Sequence, residues 1–122
     1  QMLAAMVLGA EGVQIGSRFV ASAEASSHIN FKNAVVHATE GDTILSMKKL
    51  VPVRLLKNNF YERVQAAENS GAGSETLREL LGRGRAKQGM FEGDMEEGEL
   101  EIGQVSALIS GCRHYRGYLQ GI

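Results

Sequence analysis

The protein has 122 residues, 43% of them hydrophobic and 22% charged, with a formal net charge of -1. That length suits one domain, that balance belongs to a globular rather than a disordered chain, and a near-neutral charge gives no electrostatic footprint for nucleic acid or an anionic membrane. The lone cysteine, Cys112, excludes an internal disulfide and fits a reducing, cytoplasmic compartment, and no apolar run reaches the roughly 18 residues of a membrane helix.

Residues 1–8 carry helical periodicity from the first position, with no N-cap before them and Gly9 placed as a terminating glycine. They lack the basic start and cleavage site of a signal peptide. A helix uncapped at its first residue is expected of a segment of something longer. Residues 13–19 read as a strand, with Val13 and Ile15 on one face and Gln14 and Gly16 on the other. A short helix is predicted over 22–27, then a helix over 31–38 capped by Asn30. A turn at 40–42 leads to two short strands, 43–47 and 51–56, the second confined by Pro52 to a sheet edge.

Residues 57–68 form a good helix pattern, broken over 69–73. Ser74 is the expected cap of a helix over 75–81. The run Gly82-Arg83-Gly84-Arg85 breaks it before a short helix ending at Met90. An acidic turn follows at 93–98. Leu100, Val105, Leu108 and Ile109 predict a helix over 99–109, and 115–119 a last short turn. One clear strand, 13–19, stands among helices. A lone strand leaves its backbone groups unpaired, so it needs partners outside the sequence or the segments 43–47 and 51–56.

The strand Gly12-Val13-Gln14-Ile15-Gly16-Ser17 carries the chemistry. Gly16 has no Cβ, so the backbone can approach a phosphate closely, and Ser17 adds a hydroxyl and an N–H where a helix begins. His28 has the position of a surface or capping residue, and His37 and His114 lack partner spacing. Asp94, Glu96, Glu97, Glu99 and Glu101 do not follow the alternating pattern of a calcium loop and read as a solvated turn. Lys48, Lys49, Arg54 and Lys57 read as an exposed charged face. No metal site is expected.

The stretch from Met2 through Leu8-Gly9-Ala10-Glu11-Gly12-Val13-Gln14-Ile15-Gly16-Ser17-Arg18-Phe19 resembles a segment of the nitronate monooxygenase (2-nitropropane dioxygenase) family, which includes the FMN-dependent enoyl-acyl-carrier-protein reductase. The family pattern is an alanine-rich helix followed by "LGA-D/E-G-V-Q-hydrophobic-G-T-R-F". The likeness continues through Glu24, His28, Phe31, Lys32, Asp42-Thr43, Val53-Arg54 and Lys57-Asn58. It resumes at Glu92-Gly93-Asp94, Gly98 and Gly103-Gln104.

The resemblance implies an α/β fold, the C-terminal portion of an FMN-binding (β/α)8 TIM barrel. Residues 1–38 would hold helix 7, strand 8 and the following helices, and residues 39–122 a subdomain over the active-site mouth. It implies that Gln14, Gly16 and Ser17 contact the flavin phosphate, with Ser17 standing where the family usually has Thr. The family's catalytic histidine lies upstream of this segment, so no catalytic residue is assigned. Gly103-Gln104 is expected near the flavin pocket or in helix packing. The implied partners are the upstream barrel and a small-molecule or acyl-thioester substrate. NAD(P)H is the donor in the reductase branch, and a homodimer is compatible with the reading. The alternative is a non-catalytic α+β interaction module.

Overall fold

Aliphatic and β-branched residues make the central sheet of the computed structural model, which describes residues 2–114. Strand β1 (Thr43–Ser46) pairs antiparallel with β2 (Val53–Leu56), Thr43 opposite Leu56 and Ser46 opposite Val53. The connection turns at Met47, whose φ is 57°, and closes with the Leu50 N–H on the Met47 carbonyl at 2.9 Å. Pro52 precedes β2, where its missing N–H costs no ladder bond.

The other side of β2 is covered. The Leu56 N–H donates to the Leu100 carbonyl at 3.0 Å, the Ile102 N–H to the Arg54 carbonyl at 3.1 Å, and Leu55 bridges Glu101. The helix expected over 99–109 is thus replaced by an extended run and a 3₁₀ turn, Gln104–Leu108. Leu100 and Ile102 are buried with exposed Glu101 between them, the two-residue period of a strand. Val105 and Leu108, counted inward for a helix, are 44% and 70% exposed.

Adjacent Leu55 and Leu56 point to opposite faces and join two cores. Leu55 packs with Met47, Phe60, Val64 and Leu77 under helices α4 (Asn59–Asn69) and α5 (Ser74–Leu81), counting helices in chain order. Leu56 packs with Phe31, Val35, Leu100, Ile102 and Ile109 under α3 (Ile29–His37). Each fully buried phenylalanine contributes about 1.5–3 kcal/mol relative to exposure. Helix α6 (Arg85–Met90) meets the acidic turn through glycines. A Cβ on Gly98 would overlap the Gly89 backbone, standing 2.6 Å from its nitrogen.

Several local expectations are corrected. The cap of α3 is His28, whose Nδ1 accepts the Asn30 N–H at 3.1 Å, while Asn30 Nδ2 donates to the Gly93 carbonyl at 3.1 Å. Gly73 occupies the N-cap of α5 and Ser74 is its first helical residue. Residues 22–27 form turns rather than a helix. There the buried Lys32 Nζ draws in the carbonyls of Ala23 (3.2 Å) and Ala25 (2.7 Å). Helix α4 begins where Asn58 Oδ1 accepts the Tyr61 N–H and Asn58 Nδ2 donates to the Met95 and Gly98 carbonyls. The turn expected over 115–119 lies outside the described residues.

At the amino end, α1 (Met2–Val7) forms as expected and ends near Gly9, at φ 96°. Nothing in it is buried. Residues 13–19 are not a strand within the described structure. Residues 12–15 carry no regular secondary structure and are unpaired among the described residues, Gly16 already has helical dihedrals, and Ser17–Val20 make one helical turn, α2, as the Phe19 and Val20 N–H groups fold back onto the Gly16 carbonyl. A strand is defined by its ladder, and among the described residues there is none beside 12–16. Among the described residues no helix is long and apolar enough to cross a membrane.

Candidate cofactor phosphate site

Gln14 lies on the irregular run before α2, and Gly16 and Ser17 lie at the start of that turn. Gly16 is the N-cap of that turn, with no side-chain bond closing it. A Cβ there would meet nothing within 4 Å among the described residues, so on that side the space in front of the Gly16 backbone is open to them. Gln14 is exposed, and no residue of 11–15 has a hydrogen-bond partner among the described residues. The Gly16 and Ser17 N–H groups are likewise without an acceptor among them.

Ser17 is half-buried, and its Oγ accepts the Gly103 N–H at 3.1 Å, across 86 positions of sequence. Gly103 is itself held on both sides. The Ile102 N–H donates to Arg54 on β2, and the Gly103 carbonyl accepts the Ser106 N–H at 3.0 Å. A Cβ on Gly103 would sit 2.8 Å from Ser17 Oγ. The sequence signal for this contact is the glycine before Gln104, which allows flavin-pocket or packing roles alike. The structure brings Gly103 to Ser17.

Other chemistry-bearing residues serve the fold. His28 caps α3, as its position in the sequence suggests, and His37 Nδ1 lies 2.7 Å from the Asn33 carbonyl. His114 Nδ1 lies 3.1 Å from Glu24 Oε1. Among the described residues no three histidine, cysteine or acidic side chains gather as metal ligands. The acidic run builds a turn: Asp94 accepts the Glu97 N–H (2.9 Å), Gln88 Nε2 (2.6 Å) and the Glu96 N–H (3.0 Å), bonds that hold its carboxyl below the usual range. Glu99 is the exception. Burial first, and the neighbouring Glu101 charge second, push it up to about 7 against the opposing pull of Arg85.

The basic residues do not converge. Lys49 holds the Gly71 and Ala72 carbonyls, and half-buried Arg54 binds the Thr43 carbonyl at 2.8 Å. Arg85 lies 4.6 Å over the Phe60 ring and donates to the Leu81 and Glu97 carbonyls, fixing the breaker run as structure. Lys32 is a buried cation to which the sequence pattern assigns no role. Its signal was a lysine beside Phe31 on an otherwise apolar helix stripe. An open cleft of about 350 Å³ lies between α3 and the start of α4, lined by Ala38, Asp42, Leu56, Lys57 and Asn58 among others. It shares no residue with 14–17.

A small sheet backed by helices, preceded by a segment unpaired among the described residues that enters a Gly-Ser turn, defines an α/β fragment. A profile of the nitronate monooxygenase family matches residues 1–112, and the chain belongs to that family. A probable nitronate monooxygenase of Staphylococcus saprophyticus is 28% identical over 109 residues, 88% of this chain and 30% of its own length. One from Staphylococcus haemolyticus is 34% identical over 70 residues, 57% of this chain and 20% of its own. FabK from Thermotoga maritima, a TIM-barrel enzyme, superposes with a TM-score of 0.84 at 34% identity, over 96% of this chain and 37% of FabK. A point variant of the same enzyme gives 0.80 at 33% identity, over 98% and 35%. The matched stretch thus spans between 20% and 37% of the length of these relatives.

Proposed function

We propose that this chain is the C-terminal part of an FMN-dependent oxidoreductase and contributes the flavin phosphate site. Residues 1–38 close a (β/α)8 barrel, with residues 13–15, the part of the expected strand 13–19 that precedes the α2 turn, in its last strand, and residues 39–122 form the subdomain over its mouth. The observation that carries the reading is the backbone of 11–15. Every N–H and carbonyl there lacks a partner among the described residues, and Val13 and Ile15 are exposed beside them. Unpaired backbone and bare aliphatic side chains together call for flanking strands. In barrels of this kind phosphate groups commonly bind after strands seven and eight.

The residues fit a phosphate. Gly16 leaves open space where a side chain would stand, and the N–H groups of Gly16 and Ser17 lack acceptors among the described residues. Ser17 Oγ accepts one bond, from Gly103, and keeps its hydrogen. Gln14, Gly16 and Ser17 would therefore hold the phosphate end of FMN, and the bound flavin would supply hydride-transfer chemistry. These residues bind and orient; they move no proton in the reaction. The reading carries with it a cytoplasmic enzyme, compatible with a homodimer, acting on a small nitronate or an acyl thioester, with NAD(P)H as donor in the reductase branch. The remainder of the barrel is the segment's partner.

The test is made on the intact protein that carries this segment. Purified, it is yellow, and the Gly16→Val, Ser17→Ala double variant loses its flavin on gel filtration. A double variant that keeps a full complement of FMN would refute the site.

A further inference from the structure

We propose that Gly103 is a positioning residue for the cofactor site: its amide turns the Ser17 side chain so that the hydroxyl hydrogen is left to donate to the flavin phosphate. The inference rests on the reading of Ser17 as a phosphate ligand and adds to it a residue 86 positions away.

A serine Oγ has one hydrogen and two lone pairs. The Gly103 N–H can only donate, so Ser17 meets it as acceptor, at 3.1 Å. What the hydroxyl retains is its donor, the function that an anion needs. A serine free to rotate would spend part of its time with that hydrogen turned elsewhere, and a bound anion would have to order it. Here the ordering is done beforehand.

The amide that does it is well anchored. The preceding residue is tied to β2 through the bond from Ile102 to Arg54, and the Gly103 carbonyl takes the Ser106 N–H. The Ser17 rotamer is thereby referenced to the central sheet rather than to its own one-turn helix. Glycine is required for space rather than for backbone freedom. Its φ is -71°, open to any residue, but a Cβ would stand 2.8 Å from Ser17 Oγ and push the hydroxyl aside. Among the described residues that Cβ has Ser17 Oγ as its nearest obstacle, with only Val105 Cγ1 also in range, at 3.6 Å. Gly103→Ala is therefore a local perturbation of the Ser17 hydroxyl.

The experiment compares FMN with riboflavin, which lacks the phosphate, by fluorescence titration of the intact apoprotein. Gly103→Ala and Ser17→Ala each weaken FMN roughly tenfold, the scale of one hydrogen bond to a charged group. The double variant is no weaker than Ser17→Ala alone, because the serine substitution has already removed the Oγ that the new methyl would displace. Riboflavin binds all four proteins alike. Losses that add in the double variant, or a parallel loss of riboflavin, overturn the proposal, since a merely structural glycine would weaken both ligands. Should Gly103→Ala fail to fold, the bond is read from the other side. Ser17→Ala must accelerate hydrogen exchange at the Gly103 amide and Ser17→Thr must restore both protection and FMN affinity; an unchanged Gly103 amide overturns the proposal. Retention of FMN by Ser17→Ala refutes the phosphate site itself. Loss of FMN in Ser17→Ala with none in a folded Gly103→Ala refutes only the positioning.

Discussion

Glu99 gives the sharpest test of how the acidic turn is built. Its backbone N–H is bonded to the Arg85 carbonyl at 3.1 Å, and only 7% of the residue is exposed. Arg85, the nearest compensating charge, is occupied by the Leu81 and Glu97 carbonyls and the Glu97 carboxylate. The carboxyl therefore titrates near 7 in the folded protein against 4.5 for an ordinary glutamate. Between those values the native state holds a proton that the unfolded chain has released. Stability is then full below pH 4.5 and falls by about 1.4 kcal/mol per pH unit as pH rises, levelling off above 7, a total on the order of 3 kcal/mol. Glu99→Gln keeps the shape and removes the charge. Urea unfolding followed by circular dichroism from pH 4.5 to 8 should give parent and variant curves that separate with rising pH, the variant the more stable at pH 8. Subtracting the curves cancels the titrating groups that are not coupled to Glu99. Glu101→Gln narrows the separation without abolishing it, because burial is the larger cause. A parent–variant gap that is constant across that pH range would refute the account.

Three further perturbations address the packing. Gly98→Ala drives a methyl into Gly89 and should cost about 1–3 kcal/mol or more, read as a lower urea midpoint; a neutral effect would mean that α6 moves freely away from the turn. Asn58→Ala removes the α4 cap and the donors to Met95 and Gly98, about 2–3 kcal/mol in all, whereas Asn58→Asp restores the cap alone and should fall between; equal losses in the two variants would contradict the split. Lys32→Met keeps the apolar stem and deletes the bonds to Ala23 and Ala25. It should speed amide exchange at Ser22 and Ala25 with about 1–2 kcal/mol lost, and unchanged protection there would remove Lys32 as the organiser of the 21–28 turns.

Local signals made much of the fold legible. The two β-branched runs, the breaks at 69–73 and 82–85 and the helices between them are written in adjacent residues, so propensity and spacing suffice. Three of the departures share one cause. Residues 99–102 are extended because β2 offers them an edge, and residues 22–27 turn because Lys32, several residues on, takes their carbonyls. The cap of α3 passed to His28 because Gly93, 63 positions from Asn30, engages the asparagine amide. Each depends on a partner distant in sequence, which periodicity does not register. Gln14, Gly16 and Ser17 were legible as a motif, and Gly103 was visible only as a glycine of undecided role. Its bond to Ser17 belongs to tertiary structure.

The same contrast divides the molecule. From Ser17 to Ile109 the elements find partners in one another: Ser17 meets Gly103, α3 meets the 3₁₀ turn, and β2 meets 100–102. Before Ser17, α1 buries no residue and 11–15 bond to nothing described. The division falls at Gly16, whose carbonyl is bonded within the α2 turn while its N–H lacks an acceptor among the described residues, within the proposed phosphate site. On that reading the two sides of the site are ordered by different means. Ser17 is set in advance by the subdomain through Gly103, while Gln14 and the Gly16 amide take their places only when the strand enters its ladder. Phosphate recognition then joins the subdomain to the barrel, and bound FMN favours the closed barrel by the same free energy with which closure favours FMN.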